Sequence, residues 1–149
     1  MLTPWYITGF CDGEASFTYS RSGSRCVSLY FAIRLRSDDR PIIEEIQDFF
    51  GGVGKIYTAK PRPPGRYSGF TKESTYYRVT RIHELAKIVQ HFDKYPLTSK
   101  KAKAYQVWRE MVKQKQNFRR QNPIQLHKLA EQLSGLNSRG LSPKIVQNV

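Results

Sequence analysis

The stretch ITGFCDGEA, residues 7–15, decides how this chain folds. It has the pattern of a short helix of small residues that ends on two carboxylates, Asp12 and Glu14. Carboxylates are disfavoured at the negative end of a helix unless a cation lies close by, and a divalent metal is one such cation. Gly9 and Gly13 line one side of this helix and let another backbone approach closely. The pattern therefore predicts two such helices packed side by side, with their acidic ends together.

Residues just before this stretch support the helix. Thr3 supplies an N-cap hydroxyl and Pro4 fits the first helical position, which predicts a helix over residues 4–13. The alternative is an ordinary turn, since Asp-Gly-Glu is common in turns and Gly13 is suited to a left-handed helix cap.

Length and charge narrow the class of protein. A chain of 149 residues with 39% hydrophobic content can bury one core, so we expect a single domain over residues 1–149. Its 25 Lys and Arg against 12 Asp and Glu, net +13, indicate a polyanionic partner, with nucleic acid first. No apolar run approaches the ~20 residues of a membrane span, and the N-terminus lacks a signal-peptide layout. We therefore expect an intracellular protein without a membrane partner.

Hydrophobic periodicity and turn residues predict an α+β chain in the order α-β-β-α-β-β-α, followed by a C-terminal helix. An antiparallel four-stranded sheet would be covered on one face by helices. We expect a core over residues 1–115, a helical extension over 116–140 and a frayed tail over 141–149. The predicted strands are 15–19, 26–36, 53–58 and 74–80, and the later helices are 41–50, 82–92, one from Thr98 or Ser99 to about 115, and one opened by Asn122-Pro123.

The open face of the predicted sheet is basic. In strand 26–36, alternate residues from Val27 to Leu35 are apolar, and the residues between them are polar or basic. Residues 15–37 and 49–72 contain no acid, which favours a sheet that lies against phosphates rather than a solvated basic face with no partner. Ser28, Tyr30, Thr75, Tyr76 or Arg78 would reach base edges. The predicted nucleic-acid contacts are Arg21, Arg25, Ser28, Tyr30, Arg34, Arg36, Lys55, Lys60, Arg62, Arg66, Lys72, Tyr76 and Arg78.

Residues 7–15 resemble the LAGLIDADG motif. Gly9 matches its glycine, Asp12 its first acid, Gly13 the small residue between the acids and Glu14 the second acid. The resemblance extends to about residue 112 through several motifs in the same order: strand 29–33, the helix end 49–51, strand 53–56 and the segment 92–97 leading into Lys100-Lys101.

This resemblance implies a homing endonuclease with a saddle-like sheet that lies in the major groove of a long DNA site. Members with one motif per chain work as homodimers, and this chain has one copy. Thr8, Gly9 and Asp12 would then lie at the dimer interface, and Asp12 would also support the helix end.

The resemblance also implies the catalytic residues. Glu14 would be the metal-binding carboxylate, with the main-chain carbonyl of Gly13 beside it. Mg²⁺ fits these oxygen ligands, and Mn²⁺ could substitute. Lys100 or Lys101 would stabilise the developing charge on the phosphate, with a helix terminus that contacts phosphate as the alternative.

Two residues depart from the family pattern. Ala15 replaces the usual last glycine of the motif, and Leu35 stands where some members carry a polar residue that positions solvent. The second departure leaves the organisation of the attacking water open.

Three functions fit these features. The first is a homodimeric, Mg²⁺-dependent endonuclease that cuts both strands of a long, nearly palindromic double-stranded DNA and leaves short 3′ overhangs. The second is a non-cleaving relative that acts as an intron maturase on RNA or as a DNA-binding regulator. The third is a small basic RNA-binding or ribosomal-type protein from outside the family, which leaves the acidic helix unexplained. The location implied is a bacterial cytoplasm or an organelle.

Overall fold

The computed structural model describes residues 1–23, 26–64, 72–117 and 123–137. The predicted order of helices and strands is confirmed over these residues. Arg25, Arg66 and the predicted tail 141–149 lie outside them. The elements are α1 (Pro4–Glu14), β1 (Ala15–Ser22), β2 (Cys26–Arg36), a 3₁₀ turn (Ser37–Asp39), α2 (Arg40–Phe49), β3 (Lys55–Ala59), β4 (Ser74–Val79), α3 (Ile82–Lys94), α4 (Lys101–Gln116) and α5 (Pro123–Asn137).

The four strands form one antiparallel sheet in the order β1-β2-β4-β3. β2 pairs with two strands, and its Ile33 lies opposite Ala15 of β1 and opposite Tyr77 of β4. This register places the apolar residues of neighbouring strands on the same face, because directly opposite residues in an antiparallel pair point the same way. β2 and β4 are the central strands, and β1 and β3 are the edges.

The helices cover the apolar face of this sheet and form the core with it. Phe17 of β1 is at the centre, with 1% of its surface exposed, and its ring centroid lies 5.2–5.4 Å from four other aromatic rings. Those rings come from β2, α3 and α4, so one aromatic cluster joins the sheet to two helices. They belong to Phe31, Phe92, Tyr105 and Trp108.

One predicted base contact lies in this core instead of on the open face. Thr75 is opposite Leu35 and Thr58 in the register and is 1% exposed. The prediction for Thr75 is therefore wrong, because alternation along β4 directs its side chain to the helix-covered face.

Edge strand β1 is covered by the last two helices. Trp108 Nε1 of α4 donates to the Thr18 carbonyl at 3.1 Å, and Asn137 Nδ2 of α5 donates to the Phe17 carbonyl at 2.9 Å. The Tyr19 hydroxyl lies 2.6 Å from Ser134 Oγ. Backbone groups of an exposed edge strand are open to pairing with other chains, so α4 and α5 protect this edge as well as extending the core. None of the helices in the described ranges is long and apolar enough to cross a membrane.

Strand bounds differ from the predicted ones at the turns. β1 continues to Ser22 because residues 20–22 still pair with 26–28 of β2. β3 begins at Lys55, two residues later than predicted, because Gly51, Gly52 and Gly54 have positive φ and form a tight turn after α2. A Cβ at Gly54 would lie 2.6 Å from the Arg78 carbonyl oxygen and 2.7 Å from Val79 Cγ2, so no larger residue fits there.

We expect Gly54→Ala to lower the free energy of unfolding by about 2 kcal/mol or more, because the new Cβ adds a backbone clash to the strain of positive φ. Gly51→Ala is the matched control, since its φ is also positive but its Cβ would meet nothing within 4 Å. Urea unfolding of both variants measures the difference. Equal losses in the two variants would show that the clash at Gly54 contributes nothing.

Candidate functional site

The acidic end of α1 exposes one carboxylate. Glu14 is the last residue of the helix and is exposed, and within the described ranges its side chain makes no hydrogen bond or ion pair. Gly13 beside it is also exposed. Carbonyl groups in the last turn of a helix have no intrahelical partner, so the Gly13 carbonyl and the Glu14 carboxylate offer oxygen ligands at one position.

The Asp12 carboxylate, in contrast, is hydrogen-bonded to other residues of the same chain. Its carboxylate accepts hydrogen bonds from the backbone N–H and the hydroxyl of both Thr98 and Ser99, at 2.6–3.2 Å. Burial opposes ionisation of this group, but the hydrogen bonds from Ser99 and Thr98 outweigh it and hold the pKa of Asp12 below its usual value. Asp12 thereby joins the end of α1 to the residues that precede α4, and both of its oxygens are occupied.

This connection brings a lysine to the end of α1. Lys101 Nζ donates to the Cys11 carbonyl at 3.4 Å, and the Lys101 backbone N–H donates to Ser99 Oγ at 3.1 Å. Lys100, one residue earlier, is exposed. Of the two candidate lysines, the structure places Lys101 against the motif helix. The thiol of Cys11 is fully buried, and burial raises its pKa to about 12, so Cys11 is inert here.

One side of α1, the side that carries Gly9 and Gly13, is not covered by other described parts of the chain; we call it the bare side of α1. A Cβ added at Gly9 or at Gly13 would meet nothing within 4 Å. Trp5 and Tyr6, earlier in the same helix, are 59% and 46% exposed, although both are large apolar residues. Exposed apolar side chains next to glycines that leave a flat backbone surface are typical of a helix that packs against another protein.

Thr8, which the sequence places at the dimer interface, lies instead on the buried side of α1. It is 4% exposed, and its hydroxyl donates to the Tyr95 carbonyl at 2.8 Å and lies 3.0 Å from His91 Nε2. Since the single hydroxyl proton goes to the carbonyl, His91 Nε2 carries the proton that it shares with Thr8. Burial lowers the pKa of His91 to about 4, which keeps the ring neutral. Nothing in the sequence indicates that Thr8 contacts His91, because the two residues are 83 positions apart and no local pattern connects them.

The open face of the sheet carries most of the predicted nucleic-acid contacts. In the described ranges this face has four basic side chains, Arg34, Arg36, Lys55 and Arg78, and no Asp or Glu. Two of them stack on tyrosines: the Arg34 guanidinium carbon is 4.8 Å from the Tyr76 ring centroid, and that of Arg78 is 3.9 Å from the Tyr30 centroid. By the strand register this face consists of Ser16, Thr18, Ser20, Ser22, Cys26, Ser28, Tyr30, Ala32, Arg34, Arg36, Lys55, Tyr57, Ala59, Ser74, Tyr76 and Arg78.

The remaining predicted contacts in the described ranges lie at the margins of the sheet. Arg21 is exposed at the end of β1, but it lies opposite Val27 and so belongs to the helix side of the register. Lys60 and Arg62 follow β3 and Lys72 precedes β4, and all three are exposed. Tyr57, 50% exposed and opposite Tyr76, was not predicted, although alternation with Lys55 in β3 is the signal that identifies it.

The donor chemistry at the end of α1 suits a hard divalent cation. Mg²⁺ prefers oxygen ligands and is bound by one or two carboxylates together with other oxygens. In the described ranges, no group of three or more His, Cys, Asp or Glu is placed to hold a metal ion. A cation at Glu14 and Gly13 would therefore take further oxygen ligands from a partner or a phosphate.

Comparisons with known proteins agree with this geometry. A family model described as LAGLIDADG endonuclease matches residues 7–112. The probable intron-encoded endonuclease 3 of Neurospora crassa is 30% identical over an alignment of 118 residues that covers 75% of this chain and 20% of that protein. An uncharacterized 50.9 kDa protein in ND4 intron 1 of Podospora anserina is 29% identical over 119 residues, 74% of this chain and 24% of that protein. This chain thus spans about a quarter or less of the length of these curated relatives.

Solved structures show the same fold. The LAGLIDADG meganuclease I-AabMI bound to uncleaved DNA is 32% identical with a TM-score of 0.74, over 91% of this chain and 45% of that one. I-SmaMI bound to an uncleaved DNA target in the presence of calcium ions is 27% identical with a TM-score of 0.74, over 96% and 47%. The homing endonuclease I-TnaI, at 22% identity and a TM-score of 0.71, shares the fold over 91% of this chain and 95% of its own.

The family match includes the motif helix, all four strands of the sheet and Lys101. The chain belongs to the LAGLIDADG endonuclease family.

Proposed function

We propose that this chain is a homodimeric homing endonuclease that cuts both strands of a long, nearly palindromic double-stranded DNA and leaves short 3′ overhangs. The observation that carries the proposal is the exposed Glu14 carboxylate at the end of a helix whose bare side is lined by Gly9 and Gly13. The family match excludes the interpretation as a basic protein from outside the family.

The bare side of α1 supports the dimer. A twofold axis along this side of α1 would bring the same surface of two copies together, as in an isologous interface. Both Glu14 carboxylates would then lie at the same end of the helix pair. Gly9 and Gly13 would let the two backbones approach closely, while Trp5 and Tyr6 would be buried at the other end. This chain covers slightly less than half of the I-AabMI chain and of the I-SmaMI chain. Each of those chains is therefore long enough for two units of this size.

The chain's own residues suit phosphodiester hydrolysis. Glu14 and the Gly13 carbonyl would hold Mg²⁺, with Mn²⁺ as a substitute, and Asp12 would keep the helix end in place. The bound cation would lower the pKa of the attacking water and stabilise charge on the phosphate and the leaving oxygen. The Lys101 ammonium, held by the Cys11 carbonyl, would face the same developing charge. Each protomer would serve one strand.

The sheet would hold the DNA. Its basic face presents side chains to the groove and its margins present Lys60, Arg62 and Lys72 to phosphates, which gives an affinity that falls steeply with salt. Two curated relatives carry the words intron-encoded endonuclease in their names, which supports an intron origin and an intracellular or organellar location for this chain.

We expect Glu14→Gln to lower the rate of double-strand cleavage by about 1000-fold while DNA affinity stays within a few-fold, because the amide keeps the shape and loses the anionic metal ligand. The substrate is DNA recovered by binding selection from a randomised double-stranded pool, incubated with Mg²⁺, Ca²⁺ or EDTA. Glu45→Gln on the exposed side of α2 is the matched control. Full cleavage by Glu14→Gln would overturn the assignment, and tight binding without cleavage by the unsubstituted chain would favour a maturase or a regulator.

Lys101→Ala is expected to lower the cleavage rate by about 100-fold or more at saturating DNA, because one positioned charge at the reacting phosphate is lost. Lys100→Ala, its neighbour, is expected to change the rate only a few-fold, since the Lys100 side chain is exposed. Single-turnover kinetics separates the two variants. The reverse order of effects would assign the role to Lys100.

Gly9→Leu should separate the two motif helices and leave the chain monomeric, because the added side chain occupies the bare side of α1. Sedimentation analysis at high salt gives the oligomeric state, and cleavage of both strands should be lost with the dimer. Gln90→Leu adds the same side chain at an exposed position of α3 and should remain dimeric. A Gly9→Leu variant that stays dimeric and active would contradict the proposed interface.

A further inference from the structure

We propose that Arg34 and Arg78 each read a guanine in the DNA target, and that each half-site therefore contains two G·C pairs separated by about two to four base-pair steps. This inference rests on the proposed function and goes beyond it, because it names bases in the DNA from residues of this chain. Four observations on the open face of the sheet carry it.

The first observation is that both guanidinium groups are stacked rather than ion-paired. Arg78 lies over the Tyr30 ring at 3.9 Å and Arg34 over the Tyr76 ring at 4.8 Å. A guanidinium stacked on an aromatic face loses little further side-chain freedom on binding and keeps its planar fork of donors available. Arg36 on the same face differs, since its Nε lies 3.6 Å from Asp38 Oδ1.

The second observation concerns the donors themselves. Arg34 Nε donates to Ser74 Oγ at 3.2 Å, so one edge of this guanidinium is anchored. Arg78 Nε is buried and has no hydrogen-bond partner among the described residues. No acid of the same face in the described ranges neutralises either charge. Both groups are therefore held in position with their remaining donors uncommitted, which suits a bidentate acceptor such as the O6 and N7 edge of guanine.

The third observation is position within the sheet. Arg34 and Arg78 belong to the central strands β2 and β4, whereas Lys55 is on edge strand β3. A sheet that enters the major groove places its central side chains over base edges and its margins near the two phosphate backbones. The stacked arginines are thus located for base contacts, and the unstacked lysine at the edge for phosphate contact.

The fourth observation gives the spacing. Arg78 is opposite Ala32 and Arg34 is opposite Tyr76, so the two arginines are offset by two residues along β2. The Arg78 guanidinium lies over Tyr30, which is two residues farther from Arg34. At about 3.4 Å per residue the two groups are about 7 to 14 Å apart along the strand, which corresponds to about two to four base-pair steps for a strand that runs along the DNA axis.

Binding selection from a randomised double-stranded DNA pool tests the inference, with the full chain at fixed salt and sequencing of the bound fraction. The unsubstituted chain should enrich two G·C pairs in each half-site at the stated separation. Arg78→Ala should lose the preference at one of these positions, and Arg34→Ala at the other. We expect each preference to fall from about tenfold or more to nearly none.

Two further variants separate base reading from phosphate binding. Arg78→Lys keeps the charge but not the planar fork, so it should lose the guanine preference while overall DNA affinity changes little. Lys55→Ala, directly opposite Arg78, should weaken binding to all sequences equally and leave the base preferences unchanged. Thermal unfolding of each variant confirms that the sheet is intact.

Two results would overturn the inference and leave the proposed function standing. The first is that both guanine preferences survive in Arg78→Lys or Arg78→Ala, and the second is that either preference is lost in Lys55→Ala; in both cases the DNA is still bound and cleaved. A chain that binds no DNA of any sequence would overturn both proposals.

Discussion

The hydrogen bonds that the Asp12 carboxylate accepts from Thr98 and Ser99 are the interaction on which the arrangement of this molecule depends. They connect the end of the motif helix to the beginning of α4, across a separation of more than 80 residues in the sequence. One acid of the motif is thereby used for structure, and the other, Glu14, remains exposed. The same hydrogen bonds bring Lys101 to the Cys11 carbonyl. The positive charge of the Lys101 ammonium at the C-terminal end of α1 is therefore a consequence of the contact between Asp12 and residues 98–99.

The two faces of the sheet differ in chemistry. Its helix-covered face contains the aromatic cluster around Phe17, which holds the helices in place. Its other face has no acid in the described ranges and carries two arginines stacked on tyrosines. Because side chains alternate along every strand, a single register error would exchange these faces, and the antiparallel pairing of β2 with both neighbours prevents it.

Element order and the apolar side of β2 could be predicted because they depend on local patterns. Thr3 caps α1 through the backbone N–H of Tyr6, as expected from a hydroxyl before proline, and Cys26–Arg36 has the expected bounds because strict alternation extends through it. The bounds of β1 and β3 depend on where partner strands end and on positive-φ glycines, which periodicity does not report. Thr75 was assigned to the wrong face because β4, with the sequence STYYRV, has polar or tyrosine side chains on both faces and shows no clear alternation.

Four features could be recognised in the amino-acid sequence alone: the family, the order of helices and strands, the basic character of one sheet face and the two acids at the end of the motif helix. These features are local in the chain, so spacing and residue type are enough to identify them. Three contacts became visible only in the folded chain: Asp12 binds Thr98 and Ser99, Thr8 is buried against His91, and Lys101 rather than Lys100 reaches α1. Each of these contacts joins residues more than 80 positions apart, and their partners are selected by the packing of α3 and α4 against α1, which no local pattern encodes.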